Sequence, residues 1–213
     1  MSFLDGTPGI ANARAGSIRI AGIGSRETPQ QAQQQLCDLV YMLVSQHDAI
    51  LYSGNACGAD YACQSGAHYA IQDSAGKLQI TSNIVWLPYA NFNEGKCPQM
   101  RALYVNAEKL PNYADAVTNA KAQHPLGENL KGFALKAHAR NQYQIRGYQF
   151  ENPVDCVLCW TPDGAEHHSE VTKATGGTRT AIALASHEGI PVFNLYNQGA
   201  ADRLLAFIES IKE

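Results

Sequence analysis

The sequence predicts an α/β protein with a doubly wound, mainly parallel sheet, helices on both faces and a helical insertion. Short apolar runs alternate with amphipathic helical patterns along the chain, the order expected where crossover helices join parallel strands. The runs are apolar on both faces, as strands covered by helices must be. Small-residue turns stand where strands give way to helices, above all in LYSGNACGADYACQSGAHYA, residues 51–70.

The elements follow in order. SIRIAGI, residues 17–23, is rich in isoleucine and closed by Gly24, and reads as the first strand. In ETPQQAQQQLCDLVYMLVSQH, Leu36, Leu39, Val40, Leu43 and Val44 recur at helical spacing. Thr28 with Gln31 has the pattern of a capping box, and Pro29 suits the first helical position. AILYS, 49–53, is the second strand, 60–72 the second helix and NIVWL, 83–87, the third strand. Residues 88–127 carry Pro88, Pro98, Pro111 and Pro125 and show no strand signal. They predict a helical excursion, with helices near 99–108 and 112–123 and too few apolar residues for a core of their own. A helix over 129–146 would bury Leu130, Phe133, Ala134, Ala137 and Ile145. VDCVLCW, 154–160, is the fourth strand; a long polar stretch then leads into the helix TRTAIALASHE, which Gly189 stops at C′. PVFNL, 191–195, is the fifth strand. The last helix, 200–212, sets Leu204, Leu205, Phe207, Ile208 and Ile211 on one face. Residues 17–213 thus read as a single domain behind an N-terminal arm, 1–16.

Composition narrows the function. With 213 residues, 45% of them hydrophobic, the chain can bury a sizeable core. A net charge of −3 disfavours bulk nucleic-acid binding, which calls for a basic face. Arg140, Arg146, Lys131 and Lys136 on one helix are the nearest approach to a basic track. No apolar run approaches the roughly 20 residues of a membrane span. MSFLDGTPGIANARAG has neither the basic start nor the apolar centre of a signal peptide, so the expectation is a cytoplasmic protein without a membrane partner. Six cysteines are too sparse for a disulfide scaffold, and reduced thiols are expected. Cys156 and Cys159 should point to opposite faces of a strand, which suits packing rather than a shared metal. His167 and His168 lack further ligands at metal spacing, so neither metal nor cofactor is expected.

Ligands of such sheets bind beyond the carboxyl ends of the strands. There the sequence sets Gly24, Ser25 and Arg26, then Gly54, Asn55, Ala56, Gly58, Ala59 and Asp60, then Tyr89. Trp160 and Thr161 follow the fourth strand, and Gly176, Gly177, Thr178 and Thr180 open a helix. Small residues bring backbone N–H groups close to a phosphate at a helix N-terminus. Arg26 and Arg140 are candidate cations, with Asn141 beside the latter, and Tyr89 and Trp160 are candidate walls for a base or ribose. Each has a plain structural alternative. The glycines would also allow tight helix–strand packing, Arg26 would serve as a surface residue and Trp160 as core. Arg140 and Asn141 would fit a helix surface, and Asp60 would hold a ribose hydroxyl or cap its own helix.

GSRETP, SGNACGADYACQSGAH, ARNQYQI and TGGTRTAIALASHEGIPVF occur here in that order. The set resembles the DprA-like branch of the SLOG superfamily, which also includes the LOG-type nucleoside-monophosphate phosphoribohydrolases. The resemblance runs from Gly24 to Phe193 apart from the helical middle. It implies a Rossmann-like fold, often dimeric or a higher homo-oligomer, whose glycine loops form a phosphate-binding loop for a nucleotide or nucleic acid. Some members of the superfamily read ADP-ribose-derived signals, and the LOG-like enzymes hydrolyse an N-glycosidic bond with a glutamate on the helix after the glycine–threonine turn. Here that position is Ile182 or Ala183. The preferred expectation is therefore a binder that senses or sequesters a nucleotide or ADP-ribose derivative without chemistry. The alternatives are an N-glycoside hydrolase using Asp60, Glu94 or Asp163, and DprA-like single-stranded nucleic-acid binding, which the charge disfavours.

Overall fold

The computed structural model describes residues 16–212, so the arm expected over 1–16 lies, Gly16 apart, outside the described residues. Six strands form one sheet: β1 (Arg19–Gly24), β2 (Ile50–Ser53), β3 (Asn83–Leu87), β4 (Leu103–Asn106), β5 (Cys156–Trp160) and β6 (Val192–Asn194). Their order in space is β4-β3-β2-β1-β5-β6, and every neighbouring pair is parallel. Arg19 registers with Ile50 on one side of β1, and Ile20 with Cys156 on the other. The chain builds the sheet outward from β1 to β4, then returns to the other side of β1 for β5 and β6. This is a Rossmann-like α/β sheet, with its switch point between β1 and β5.

Among the described residues six α-helices cover it: α1 (Gln30–His47), α2 (Ala59–Asp73), α3 (Tyr113–Gln123), α4 (Gly132–Arg146), α5 (Arg179–His187) and α6 (Ala200–Ser210). On one face Ile20, Leu51, Cys156 and Leu158 pack against Leu36 and Leu43 of α1, Cys63 of α2 and Leu204 of α6. On the other, Ile23, Tyr52, Trp86 and Val157 meet Ala116 of α3, Tyr143 of α4 and Ile182 of α5. Trp86 stacks on Tyr143, with centroids 5.5 Å apart, and forms a T-shaped pair with Tyr52 at 5.7 Å. Each large apolar side chain buried in this way stabilises the fold by roughly 1.5–3 kcal/mol. Apart from the edge strand β4, the strands are covered on both faces, which is why they read as continuous apolar runs.

Four expectations are corrected. The 88–127 excursion is not purely helical: LYVN forms β4, a sheet-edge strand, where a helix over 99–108 was expected. Its burial alternates, with Leu103 and Val105 inward and Tyr104 and Asn106 half-buried, over too few residues to stand out from a helical pattern. The capping box does not form. Thr28 instead donates its hydroxyl to the Ser25 carbonyl at 2.6 Å, and Pro29 stands one position outside α1. The stripe expected on the 129–146 helix fails in its first half, where Phe133 and Ala134 are exposed. The second half is buried all round, from His138 to Ile145. Ile211 lies beyond α6 and is 41% exposed, because the helix ends at Ser210.

Cys156 and Cys159 belong to opposite core faces, as period-two alternation requires. Burial pushes both thiols well up. Both are expected to resist iodoacetamide in the native protein and to react fully in denaturant, read by peptide mass spectrometry. Rapid native labelling of either would contradict the β5 assignment.

Candidate functional site

A cavity of about 590 Å³ opens beyond the carboxyl ends of β1 and β5, at the switch point. Its walls come from the turn after β1, the start of α2, the length of α4 and the segment leading into α5.

The turn after β1 is held from three sides. Ser25 N–H donates to the Trp160 carbonyl at 2.9 Å, tying the turn to β5. The Ser25 carbonyl accepts from Ala59 N–H at 3.2 Å and from the Thr28 hydroxyl at 2.6 Å. Gly58 makes this contact possible. Its φ is +85°, and an added Cβ would lie 2.4 Å from the Ser25 carbonyl oxygen. Gly58 therefore packs beneath the Ser25–Arg26 turn rather than facing the cavity. Arg26 is exposed on the rim, its guanidinium 5.7 Å above the Phe133 ring.

Arg140 is the buried cation of the site. It reaches from α4 across the ends of β2 and β3 and is 5% exposed. Its Nη1 donates to the Trp86 carbonyl at 3.3 Å and lies 3.6 Å from Asp60 Oδ2, while its Nε has no partner. The seat exists because residue 54 is glycine: an added Cβ would stand 1.2 Å from Nη1. Asp60 accepts the Gly24 N–H at 3.1 Å, and Gln144 Nε2 stands 3.5 Å away. Burial pushes the Asp60 carboxyl up, opposed by Arg140 and by the Gly24 and Ala56 N–H groups, and burial pulls Arg140 down despite Asp60. Two long contacts and a free Nε leave this guanidinium with unspent hydrogen-bonding capacity.

The far wall is the turn Gly176–Thr178, one 3₁₀ turn that runs into α5. Asn141 holds it from α4, donating to the Gly177 carbonyl at 3.0 Å and to Thr180 Oγ1 at 3.2 Å. His138 Nδ1 meets the same Thr180 oxygen at 2.7 Å. Burial, with His124, Arg140 and Arg179 nearby, brings the His138 pKa down to about 4. At neutral pH it is a neutral hydrogen-bonding group, so positive charge in the cavity comes from Arg140, Arg26 and Lys173.

Of the residues singled out in the sequence, Gly24, Ser25, Arg26, Ala56, Asp60, Arg140, Asn141, Gly176, Gly177 and Thr178 line the cavity. Thr180 lies directly behind it. The others stand elsewhere. Gly54 backs Arg140, and Ala59 lies in the core at the start of α2. Asn55 is used internally, donating to the Phe92 carbonyl at 2.8 Å. Tyr89 packs on Phe92 and Phe133, and Trp160 meets Tyr196. Thr161 is fully buried and exchanges hydrogen bonds with Asn194. Glu94 is exposed on a separate loop. Asp163 accepts the Thr172 and Thr175 hydroxyls, ordering the loop that carries Lys173. Burial pushes its carboxyl up, but these two hydroxyls, Thr161 and the Ala165 N–H bring it down to about 2.

Phe133, expected in the core, and His138, Gln144 and Thr175 also line the cavity, and none of the four was among the expected site residues. Three of them sit on α4, where polar residues interleave with apolar ones. The signal was there: HARNQYQ is too polar for a helix buried all round unless it faces a site.

The fold and cavity define a Rossmann-like α/β protein with a polar, cation-bearing pocket at the switch point of its sheet. No family model and no curated protein matches the chain. Among solved structures it is similar to DNA processing protein A from Helicobacter pylori, described for its single-stranded DNA binding mode. The match is 16% identical, covers 89% of this chain and 80% of that one, and has a TM-score of 0.37. At that score the likeness says nothing of what this chain binds. Among the described residues no helix is long and apolar enough to cross a membrane.

Proposed function

We propose that the cavity binds the phosphate of a nucleotide or ADP-ribose-like small molecule and releases the molecule unchanged. Arg140 carries this reading: a buried guanidinium on the cavity wall, with partners no closer than 3.3 Å. A planar guanidinium suits bidentate contact with phosphate. Arg26, Lys173 and the backbone of Gly176–Thr178 converge on the same space.

The acids present favour binding over hydrolysis. Breaking an N-glycosidic bond builds positive charge on the ribose, which a free carboxylate stabilises while activating water. Of Asp60, Glu94 and Asp163, only Asp60 lines the cavity, and it is engaged with Arg140 and Gly24. Glu27 stands on the rim in water, and Ile182 is wholly inside the core.

The test is thermal unfolding with a panel of nucleotides and ADP-ribose derivatives. At about 100 times Kd, a ligand of the native state should raise Tm by roughly 5–10 °C. Gly177→Asp is the informative variant. Nothing lies within 4 Å of an added Cβ there, so it places a carboxylate beside the turn without disturbing packing. It should remove the shift and leave the circular dichroism unchanged. After overnight incubation with stoichiometric protein, chromatography should recover the ligand intact. No shift with any compound would refute binding, and free base with ribose phosphate would show hydrolysis.

A second reading rests on the rim. Phe133 is 45% exposed beneath Arg26 and next to Tyr89, a surface on which bases of a single strand could stack. Against it, the basic track is broken: Arg146 pairs with Glu188 and Lys136 with Glu108. Anisotropy of a labelled oligonucleotide, with Phe133→Ala as control, separates the two readings.

A further inference from the structure

We propose that Cys57 and Cys97 are a dithiol that peroxide converts to a disulfide, a modification site tying the glycine turn after β2 to the loop at 91–97. Their sulfurs are 3.1 Å apart. A disulfide bond is about 2.05 Å long, so closure calls for a movement of only about 1 Å. The two segments are already laced together: Asn55 Nδ2 donates to the Phe92 carbonyl and Asn93 Nδ2 to the Asn55 carbonyl, both at 2.8 Å. The loop is pinned at its far end as well, with Cys97 N–H donating to the Asn93 carbonyl at 2.8 Å. Neither cysteine takes part in the cavity chemistry above, so the proposal stands apart from the ligand reading.

The two thiols differ in access, which sets their roles. Cys57 is half-buried at the surface of the turn, and Cys97 is 1% exposed. Burial and the contact with Cys57 hold the Cys97 thiol up at about 12, so it is not the group that meets oxidant first. Peroxide transfers one oxygen to the Cys57 sulfur, giving a sulfenic acid and one water. The Cys97 sulfur then loses its proton and attacks the Cys57 sulfur. The S–O bond breaks, and hydroxide leaves with that proton as a second water. Two thiols are oxidised and one peroxide is reduced. Elsewhere, Cys63, Cys156 and Cys159 are buried, and burial pushes the half-buried Cys37 thiol up.

The bond would close a loop whose ends lie 40 positions apart. Loops of that size restrict the unfolded chain enough to raise Tm by roughly 5–15 °C. Since Ala56 lines the cavity beside Cys57, the same bond would stiffen one wall of the pocket.

The experiment treats the full chain with hydrogen peroxide, quenches with catalase and counts thiols in denaturant. The expected count falls from the six cysteines of the sequence by two, with the loss of two hydrogens in intact mass and reversal by dithiothreitol. A non-reducing peptide map should contain Cys57 cross-linked to Cys97. In Cys97→Ser the cross-link is absent and Cys57 is trapped by dimedone as its sulfenic acid. Retention of all thiols while free glutathione is fully oxidised, or a cross-link through any other cysteine, overturns the proposal. The map of the unsubstituted chain decides the matter even if the serine variant does not fold.

Discussion

Arg140→Met is expected to lower stability by about 3–5 kcal/mol, the cost of stranding a buried charge without its partner. The stranded group is Asp60, 3% exposed, which would keep the Gly24 N–H and lose the guanidinium. For a chain of this size the loss corresponds to a fall in Tm of roughly 6–20 °C. Adding Asp60→Asn to the Arg140→Met background should recover part of it, since no charge then remains buried. Gly54→Ala should reproduce much of the defect without touching either charge, because its methyl would occupy the place of Nη1. Arg140→Lys should not rescue, as a single ammonium cannot span the Trp86 carbonyl and Asp60 as the guanidinium fork does. Calorimetry of the set is decisive. A Tm for Arg140→Met within about 2 °C of the unsubstituted chain would contradict the ion-pair account.

Acidification should expose the second large effect. His138 is held down at about 4 against an ordinary value of 6.5. Its neutral form is thus favoured in the native state, and between those values the unfolded chain binds more protons. The resulting stabilisation is fully present above pH 6.5, declines as pH falls, and is gone once the pH passes below about 4. Its size is about 3 kcal/mol at 1.36 kcal/mol per pKa unit, or roughly 6–12 °C in Tm. His138→Gln keeps a hydrogen-bonding group towards Thr180 and removes the titration. Its Tm should fall less than that of the unsubstituted chain between pH 7 and 4, by about that margin. Parallel curves would show that His138 is not the responsible group.

The fold was legible because its grammar is local. Strands 17–23, 49–53 and 83–87 are apolar on both faces, and the observed strands fall within one or two residues of them. β4 escaped because a four-residue edge strand with one wet face carries almost no periodic signal. The lining of the candidate cavity was legible where it uses backbone and small residues, at Gly24–Arg26 and Gly176–Thr178. It was misread where a small residue serves another residue instead of the cavity. Gly54 and Gly58 look like open phosphate loops in sequence, yet one makes room for a guanidinium and the other for a carbonyl oxygen. Such pairings join residues far apart in the chain, and no local pattern reports them. His138 and Gln144 were missed for the converse reason. A helix was expected to bury an apolar stripe, and this one buries its polar face against the cavity.

The pairing of β1 with β5 has a consequence for how the protein is made. Arg19 N–H donates to Asp155 across 136 positions of chain, so the two strands that frame the pocket meet only after most of the sequence exists. Closing so long a loop is entropically costly, and contacts of this range slow folding. On a ribosome, β1, β2 and α2 can pair early, while the other half of the pocket is still unmade. A nascent chain ending before Cys156 carries the Gly24–Arg26 turn with no Trp160 carbonyl to hold it. The pocket is therefore among the last parts of the molecule to exist, and any ligand it takes can act on folding only after β5 has docked.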